Sequence, residues 1–392
     1  MADDGKGEWM RKLRMGMVGG GPGAFIGGVH RIAAQLDGQI ELVCGAFSSD
    51  PAKSRAAGAE LFLDPARVYD DFAAMMAQEA ALPADRRMDF VAIVTPNHMH
   101  HGPALAALEA GFHVIVDKPL CRTMDEALSL ERAVAASGLV FAVTHTYAGY
   151  PMVKEARALI ARGGIGAVRK IYVEYPQGWL ATAIEGDGQK QAAWRTDPAR
   201  SGAGGAIGDI GTHAAHLAEY VSGRRIRAID AMLNTLVAGR RLDDDASMLL
   251  RFDDGASGVL IATQVAVGEE NGLAIRVYGE TGGVEWRQTE PNTLIVRHPD
   301  RPAEIRRTGW GYVSEEAARF TRTPSGHPEG YLEAFANIYR EFARAIRRFQ
   351  ETGAWEPAAF DMPGIAEGVR GMAFIEAAIR SSETDRKWTE LA

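Results

Sequence analysis

Short apolar runs alternate with helix-like stretches through the first 145 residues. Residues 13–18 (LRMGMV), 39–47, 90–95, 112–116 and 139–144 have the length and apolar content of strands. The run FVAIVT at 90–95 is apolar almost throughout, the pattern of a strand covered on both faces. Helices are expected from near Ile26, from Asp50 as N-cap with Pro51 at the first position, over 103–110 closing on Gly111, and over 123–136 ending at Gly138. Strands separated by helices imply βαβ crossovers and a parallel sheet. Ligands on such sheets lie beyond the carboxyl ends of the strands. Residues 19–23, 95–101, 117–120 and 145–150 each follow a strand directly, so these four segments are expected to meet at one crevice.

The pattern changes after residue 150. Residues 168–175, 228–237, 246–252, 258–266, 274–278, 284–287 and 293–297 read as strands with short connections. Asp253-Asp254-Gly255 is a hairpin turn, and 279–283 is a second. Consecutive hairpins imply a largely antiparallel sheet, with helices 151–162, 212–222 and 331–349 covering one face. A chain of 392 residues exceeds the roughly 250–300 at which single cores stop growing. Two domains are therefore expected, 1–148 and 149–392, with a C-terminal helix near 362–381 packing back on the first. The fold class is α/β, a parallel-sheet domain followed by an α+β domain with an open sheet.

Composition narrows the partners. Apolar residues make up 46% and charged residues 24%, with a net charge of −8. Residues 1–150 carry 13 Lys/Arg against 18 Asp/Glu, and residues 151–392 carry 30 against 33. Neither half is basic, so the counterion release that drives phosphate-backbone binding is missing and no nucleic acid is expected. No apolar run approaches the roughly 18–20 residues of a membrane span, so no membrane partner is expected either. The N-terminal MADDGKGEWMRK has early acids and no apolar stretch, and is read as carrying no signal peptide. Cys44 and Cys121 alone cannot form a disulfide framework or a structural zinc site, which points to a reducing cytoplasm.

Glycines 19, 20 and 21 follow the first strand and precede a helix, in the spacing G-x-G-x-x-A with Ala24 third. Glycine lets the backbone approach a pyrophosphate whose charge then meets the helix N-terminus. Gly19, Gly21, Pro22, Gly23, Ala24 and Phe25 are thus candidate dinucleotide contacts. No acid stands at the tip of the second strand, where one would favour NAD; Ser48 and Ser49 can bond a hydroxyl or a phosphate. Lys53 and Arg55 are candidates for a 2′-phosphate or simply solvated helix charges. The expected cofactor is NAD, with NADP left open.

TPNHMHH at 95–101 followed by DKP at 117–119 resembles the glucose–fructose oxidoreductase / inositol dehydrogenase / rhizopine-catabolism (Gfo/Idh/MocA) family, and WRTDPARSGAGGAIGDIGTH at 194–213 is similar to a further motif of that family. The resemblance implies a Rossmann NAD(P)-binding domain and a substrate-binding, oligomerising second domain. It places Thr95, Pro96, Asn97, His100, Asp117, Lys118, Trp194 and Arg195 by the cofactor, with Lys118 the lysine of the family's E-K-P motif. It carries general acid/base catalysis onto His213, with Asp209 and Lys118 completing the set; which of His213 and Lys118 takes the first proton stays open. Three departures stand out: Asp117 for the usual Glu, Phe47 or Ser48 where NAD users often have Asp, and His216 where many members have Asp.

The residues support the same chemistry independently. Oxidising an alcohol needs a base for the hydroxyl proton while the carbon gives up hydride. Lys118 sits past a strand end, and Pro119 restricts its backbone. If a helix runs from Ile210 or Gly211, Asp209 lies one turn from His213 and can orient its imidazole. Tyr147, Tyr150, Trp179, Trp194 and Trp310 are candidate aromatic contacts for a sugar, most of them equally readable as packed side chains. His327 and Glu329, ahead of a long helix, either bind substrate hydroxyls or form its capping segment. The substrate-side set is Lys118, Tyr147, Tyr150, Asp209, His213 and His327. No metal is expected: His98, His100 and His101 need not converge, and no H-E-x-x-H occurs.

The expected activity is NAD(P)-dependent hydride transfer at a secondary hydroxyl or ketone of a sugar, anhydrosugar, glycoside or cyclitol. Tyr147–Pro151 (Y-x-G-Y-P) and GHPEGY are similar to segments of members that oxidise levoglucosan or glycosides. The rivals are an NAD-dependent glycoside hydrolase using transient hydride transfer and a non-catalytic nucleotide-binding regulator. The resemblance implies a homodimer or homotetramer assembled through the open sheet.

Overall fold

The computed structural model describes residues 11–391; the reading of the N-terminal segment as free of a signal peptide falls largely outside them. Strands β1 (Leu13–Gly19), β2 (Ile40–Ala46), β3 (Phe90–Val94), β4 (His113–Val116) and β5 (Phe141–Val143) form a parallel sheet in the order β2-β1-β3-β4-β5. Every residue of β3 and β4 is buried, as their continuous apolar runs require. The crossovers contain α1 (Phe25–Gln35), α2 (Pro51–Glu60), α3 (Phe72–Ala81), α4 (His101–Glu109) and α5 (Met124–Ser137). Asp50 caps α2 by accepting from the Ala52 and Lys53 amides, and α5 opens on a Thr123/Glu126 capping box and closes on Gly138 at φ 66°. The sequence reading did not resolve α3. Its single polar anchor is Glu79, fully buried and paired with Arg67 at 2.6 Å and the Tyr69 hydroxyl at 2.8 Å.

After α6 (Pro151–Ala161) come β6 (Val168–Pro176), the short helices α7 (Lys190–Arg195) and α8 (Pro198–Ser201), and α9 (Thr212–Ser222). The second sheet continues with β7 (Ile226–Asn234), β8 (Asp245–Phe252), β9 (Ser257–Thr263), β10 (Ala274–Gly279), β11 (Gly283–Arg287), β12 (Thr293–Arg297) and β13 (Glu304–Arg307). Then follow α10 (Glu315–Ala318), α11 (Tyr331–Thr352), α12 (Ile365–Ser382) and the edge strand β14 (Thr389–Glu390). The nine strands run β13-β12-β11-β10-β6-β9-β8-β7-β14. All neighbours are antiparallel except β6 and β9. The long connection from β6 to β9 has α7 to α9 and a hairpin inside it, which is what a parallel pair needs. Burial alternates along β8, placing Met248 and Leu250 in the core and Leu249 outside.

One helix assignment is corrected. The segment 331–349 was expected to cover the second sheet, but α11 packs on the first. Its stripe Phe335, Tyr339, Phe342 and Ile346, at spacings of three and four, shares a core with Phe90, Ala92, Ile115 and Val140. That face of the first sheet otherwise has α1 and part of α2, while α6, α9 and α12 already fill the covered face of the second sheet. Periodicity marks an apolar stripe without saying which sheet receives it. Helix α12 serves both sheets: Met372 and Ile375 join the core of the first, and Phe374 and Ala378 that of the second.

Candidate functional site

The carboxyl ends of β1 to β4 open on a cleft of about 560 Å³. Its floor is the glycine turn. Gly19 and Gly20 have φ 85° and 73°, and a Cβ on Gly21 would stand 2.6 Å from the Phe47 carbonyl oxygen. Gly27 lets α1 cross that turn closely, since its Cβ would lie 2.4 Å from the Gly20 Cα. This side-chain-free surface at the start of α1 fits a dinucleotide pyrophosphate. Gly19, Gly21, Pro22, Ala24, Ser48, Ser49, Thr95, Pro96, Asn97, Asp117, Lys118, Trp194, Arg195 and Asp209 line the cleft.

Three expected cofactor contacts lie off the cleft wall. Gly23 does not line the cleft, and the Phe25 side chain is 70% exposed, because α1 begins there and turns that ring to solvent. His100 is buried behind the wall, with its ring nitrogens 2.9 Å from the Pro119 carbonyl and 2.8 Å from that of Thr95. It braces the two loops that carry Thr95 and Lys118. Asp117, shorter than the Glu it replaces, is held by the Thr144 hydroxyl at 2.7 Å and the Lys118 amide at 2.9 Å. Asp70 and Asp71, which the sequence reading passed over, line the Ser48/Ser49 end, and Arg55 is tied to Asp70 at 2.6 Å.

At the other end stands an ionic cluster. Lys118 Nζ donates to Asp209 Oδ1 at 2.8 Å and to the Asp209 carbonyl at 2.6 Å. Asp209 Oδ2 accepts from Arg195 Nε at 3.2 Å and from Gln264 Nε2 at 2.9 Å. Burial disfavours the Asp209 carboxylate, but the charges of Arg195 and Lys118 outweigh it and hold the group well below the usual carboxylate range. The Arg195 guanidinium lies over the Trp194 ring, 4.3 Å from its centre.

The expected Asp209–His213 pairing is not formed. Residues Ile207–Gly211 make a π-helical turn ahead of α9, which aims Asp209 at Lys118 instead. Asp243 holds this turn: its carboxylate accepts from the Gly205 amide at 2.6 Å and the Ile207 amide at 2.7 Å. Burial pushes the Asp243 carboxyl up to about 6. A Cβ on Gly205 would stand 2.0 Å from the Asp243 carbonyl oxygen, so the glycines of GAGGAIGDIG allow this close passage.

His213 is 7% exposed, and its Nδ1 has no hydrogen-bond partner among the described residues. Burial first, then the Lys118 charge, hold its imidazole well below the ordinary value, so it stands neutral at pH 7. Its ring meets Tyr147 edge to face at 4.8 Å, and the Tyr147 hydroxyl bonds that of Tyr175. Tyr150 is corrected: it is 2% exposed and packs on Trp286 in the core of the second sheet, outside the cleft lining. His327 is exposed and, like Tyr147, Tyr150 and His213, absent from the cleft lining. Glu329 is buried and accepts from the Thr323 amide at 2.7 Å, which makes this segment a brace ahead of α11. Trp310 is 53% exposed and stacks on Tyr312. Gln264 and Asp243 were not anticipated, because only the turn of β9 and the β7–β8 hairpin bring them to Asp209 and its turn. No cluster of three or more His, Cys, Asp or Glu suited to a metal occurs among the described residues.

Comparison with known proteins matches both domains of the chain. The model of an oxidoreductase family with an NAD-binding Rossmann fold matches residues 13–145, and that of a GFO/IDH/MocA C-terminal domain matches residues 153–285. An inositol dehydrogenase homologue from Azotobacter vinelandii, solved with NADH and myo-inositol, is 34% identical with a TM-score of 0.89 over 97% of this chain and 98% of that one. An oxidoreductase from Sinorhizobium meliloti is 47% identical, with a TM-score of 0.87 over 97% and 99% of the two chains. The levoglucosan dehydrogenase of Pseudarthrobacter phenanthrenivorans is 28% identical over 97% of this chain and 99% of its own.

Proposed function

The chain belongs to the Gfo/Idh/MocA family of oxidoreductases, and on that premise we propose that it exchanges hydride between NAD and a secondary hydroxyl or ketone of a cyclitol, sugar or anhydrosugar. The observation that carries this reading is the pairing of Lys118 with Asp209 at 2.8 Å at the end of a cleft floored by the glycine turn, with a buried neutral His213 behind the cleft lining. Bound over that turn, NAD+ supplies the hydride acceptor. Lys118, fixed by two bonds to Asp209, presents its remaining proton to the substrate oxygen and stabilises the charge that develops there. Neutral His213 takes the hydroxyl proton. Asp209 positions Lys118, and Arg195 with Gln264 positions Asp209. Trp194, with the Arg195 guanidinium over its ring, forms a wall of the same cleft.

The test is purified protein with NAD+ or NADP+ against myo-inositol, scyllo-inositol, levoglucosan, glucosides and pentoses, following nicotinamide absorbance. Stoichiometric NAD reduction with a cyclitol or sugar is the expected result. Glycoside cleavage with no net reduction, or no turnover with any of them, would remove the reading. A second expectation concerns the adenosine end. Asp70 places a carboxylate there and occupies Arg55, which disfavours a 2′-phosphate. Asp70→Ala is expected to shift the ratio of kcat/KM values for NAD and NADP toward NADP by about tenfold. An unchanged ratio would show that Asp70 does not face the ribose.

Assembly and compartment follow the same reading. Tyr172, Met232 and Leu249 stand 37–57% exposed on or beside the open face of the second sheet, which supports a dimer or tetramer formed through that face. Cys44 and Cys121 are both buried free thiols, in keeping with the cytoplasm. No helix among the described residues is long and apolar enough to cross a membrane.

A further inference from the structure

Behind His213 lie two imidazoles that the chemistry above does not use. His145 follows β5, and His216 lies one turn along α9 from His213. The His145 ring meets His213 edge to face at 5.7 Å and stacks on His216 at 4.3 Å with 11° between planes. Nδ1 of His145, like Nδ1 of His213, is buried without a hydrogen-bond partner among the described residues. Buried polar atoms are normally bonded, so two such nitrogens on touching rings are unusual.

Next to them lies a small cavity of about 20 Å³, room for a single water. His216, Thr212, Glu219, Arg225, Arg370 and Gly371 line it. Gly371, in α12, links the cavity to His145: a Cβ there would stand 4.0 Å from His145 Nε2 and meet nothing closer. The Arg225 side chain is 56% exposed, so the outer wall of the cavity borders solvent.

We propose that His145, His216 and a water held beside Gly371 form the route by which the proton of the oxidised hydroxyl leaves the site. The inference rests on the reading that His213 receives that proton. The C–H electron pair leaves with hydride to NAD+, the O–H bond breaks, and its proton passes to His213. His213 hands it to His145, and the cavity water carries it past His216 to bulk solvent at Arg225. The stacked rings direct their nitrogens along the ring planes, so water beside Gly371 rather than ring-to-ring contact makes the last transfer. Lys118 faces His213 and His145, with Asp209 opposing it at His213; Arg157, Lys154 and Arg225 face His216, with Glu219 opposing them. Burial and these cations keep all three imidazoles neutral at rest, so a proton arriving on any of them moves on.

Gly371→Ala separates this role from a packing role. Alanine is the better helix former, and its methyl meets no clash, so the melting temperature should hold or rise. The methyl displaces the water beside His145 Nε2. In a stopped-flow first turnover with the substrate that the panel above selects, nicotinamide absorbance should rise at the wild-type rate. Proton release, read by a pH-indicator dye, should lag it by about tenfold. His145→Phe and His216→Phe, which keep the ring stack, should show the same lag. In the NAD-free protein, the 15N resonance of His145 Nε2 should move in Gly371→Ala. Proton release in step with absorbance in Gly371→Ala, or an unmoved resonance, overturns the route. If wild-type protein reduces no NAD with any substrate, the functional reading has failed, and the resonance still decides whether His145 contacts the cavity water.

Discussion

Lys118→Ala is expected to lower kcat by at least about a hundredfold while leaving the dissociation constant for NAD+ within a few-fold of wild type. The amine holds no part of the glycine turn, so the cradle for the pyrophosphate survives its loss. The fold survives too, since Asp209 keeps Arg195 and Gln264 as partners. What disappears is the one ammonium fixed on the Asp209 carboxylate and carbonyl and able to face a substrate oxygen. His213→Ala should lower kcat by a similar factor for a different reason, removal of the neutral base. Steady-state rates and NAD+ titration by tryptophan fluorescence check both. Wild-type turnover in either variant would take that residue out of the mechanism, and loss of NAD+ binding in Lys118→Ala would turn it into a cofactor ligand.

Asp209→Ala is expected to damage stability as well as rate. It leaves two largely buried cations, Lys118 and Arg195, with side chains 14% and 24% exposed, without their shared anion. Breaking such a pair costs about 3 kcal/mol, the lower end of the usual range because both cations keep some contact with water. Turnover should also fall by about a hundredfold or more, because Lys118 loses its position. The sign of the pH dependence follows from the carboxyl being held below its ordinary 3.8. Its contribution is complete well above pH 3.8 and is lost as pH falls. The stability gap between wild type and Asp209→Ala, from denaturant midpoints, should therefore narrow by about 1 kcal/mol between pH 7 and pH 3. A gap that stayed constant or widened in acid would mean the carboxylate is not what the two cations depend on. Asp209→Asn, which keeps the shape and one of the two acceptor oxygens, should lose rate with a smaller loss of stability.

Much of this was written in local pattern. The apolar runs placed β1 to β5, and Asp50-Pro51 and Thr123…Glu126 marked two helix starts that the backbone uses. The segments that follow β1, β3 and β4 bring Gly19, Thr95 and Lys118 to one cleft, as a parallel sheet demands, whereas the fourth expected segment, 145–150, contributes nothing to its lining. Other features had no local signal. A π turn adds one residue to the helical ladder, and no propensity distinguishes it from an ordinary helix start. Asp209 and His213 therefore looked like a bonded pair at helical spacing, while the turn directs the carboxylate elsewhere. Tyr150 and Phe25 show the same limit in reverse, since both sit beside functional residues in sequence and point away from the cleft in space.

The sequence by itself determined the parallel sheet, the glycine turn and the motifs that bring an amine, a carboxylate and an imidazole together, because these depend on periodicity and on residues close along the chain. Tertiary structure alone decided that α11 returns to close the first sheet, that Asp209 pairs with Lys118, Arg195 and Gln264, and that His145 and His216 stack behind His213. Each of those contacts joins segments tens to hundreds of residues apart, or turns on a single extra residue in a helix. Such choices are settled by which apolar surface still lacks cover and which buried charge still lacks a partner, and neither can be counted until the whole chain has packed.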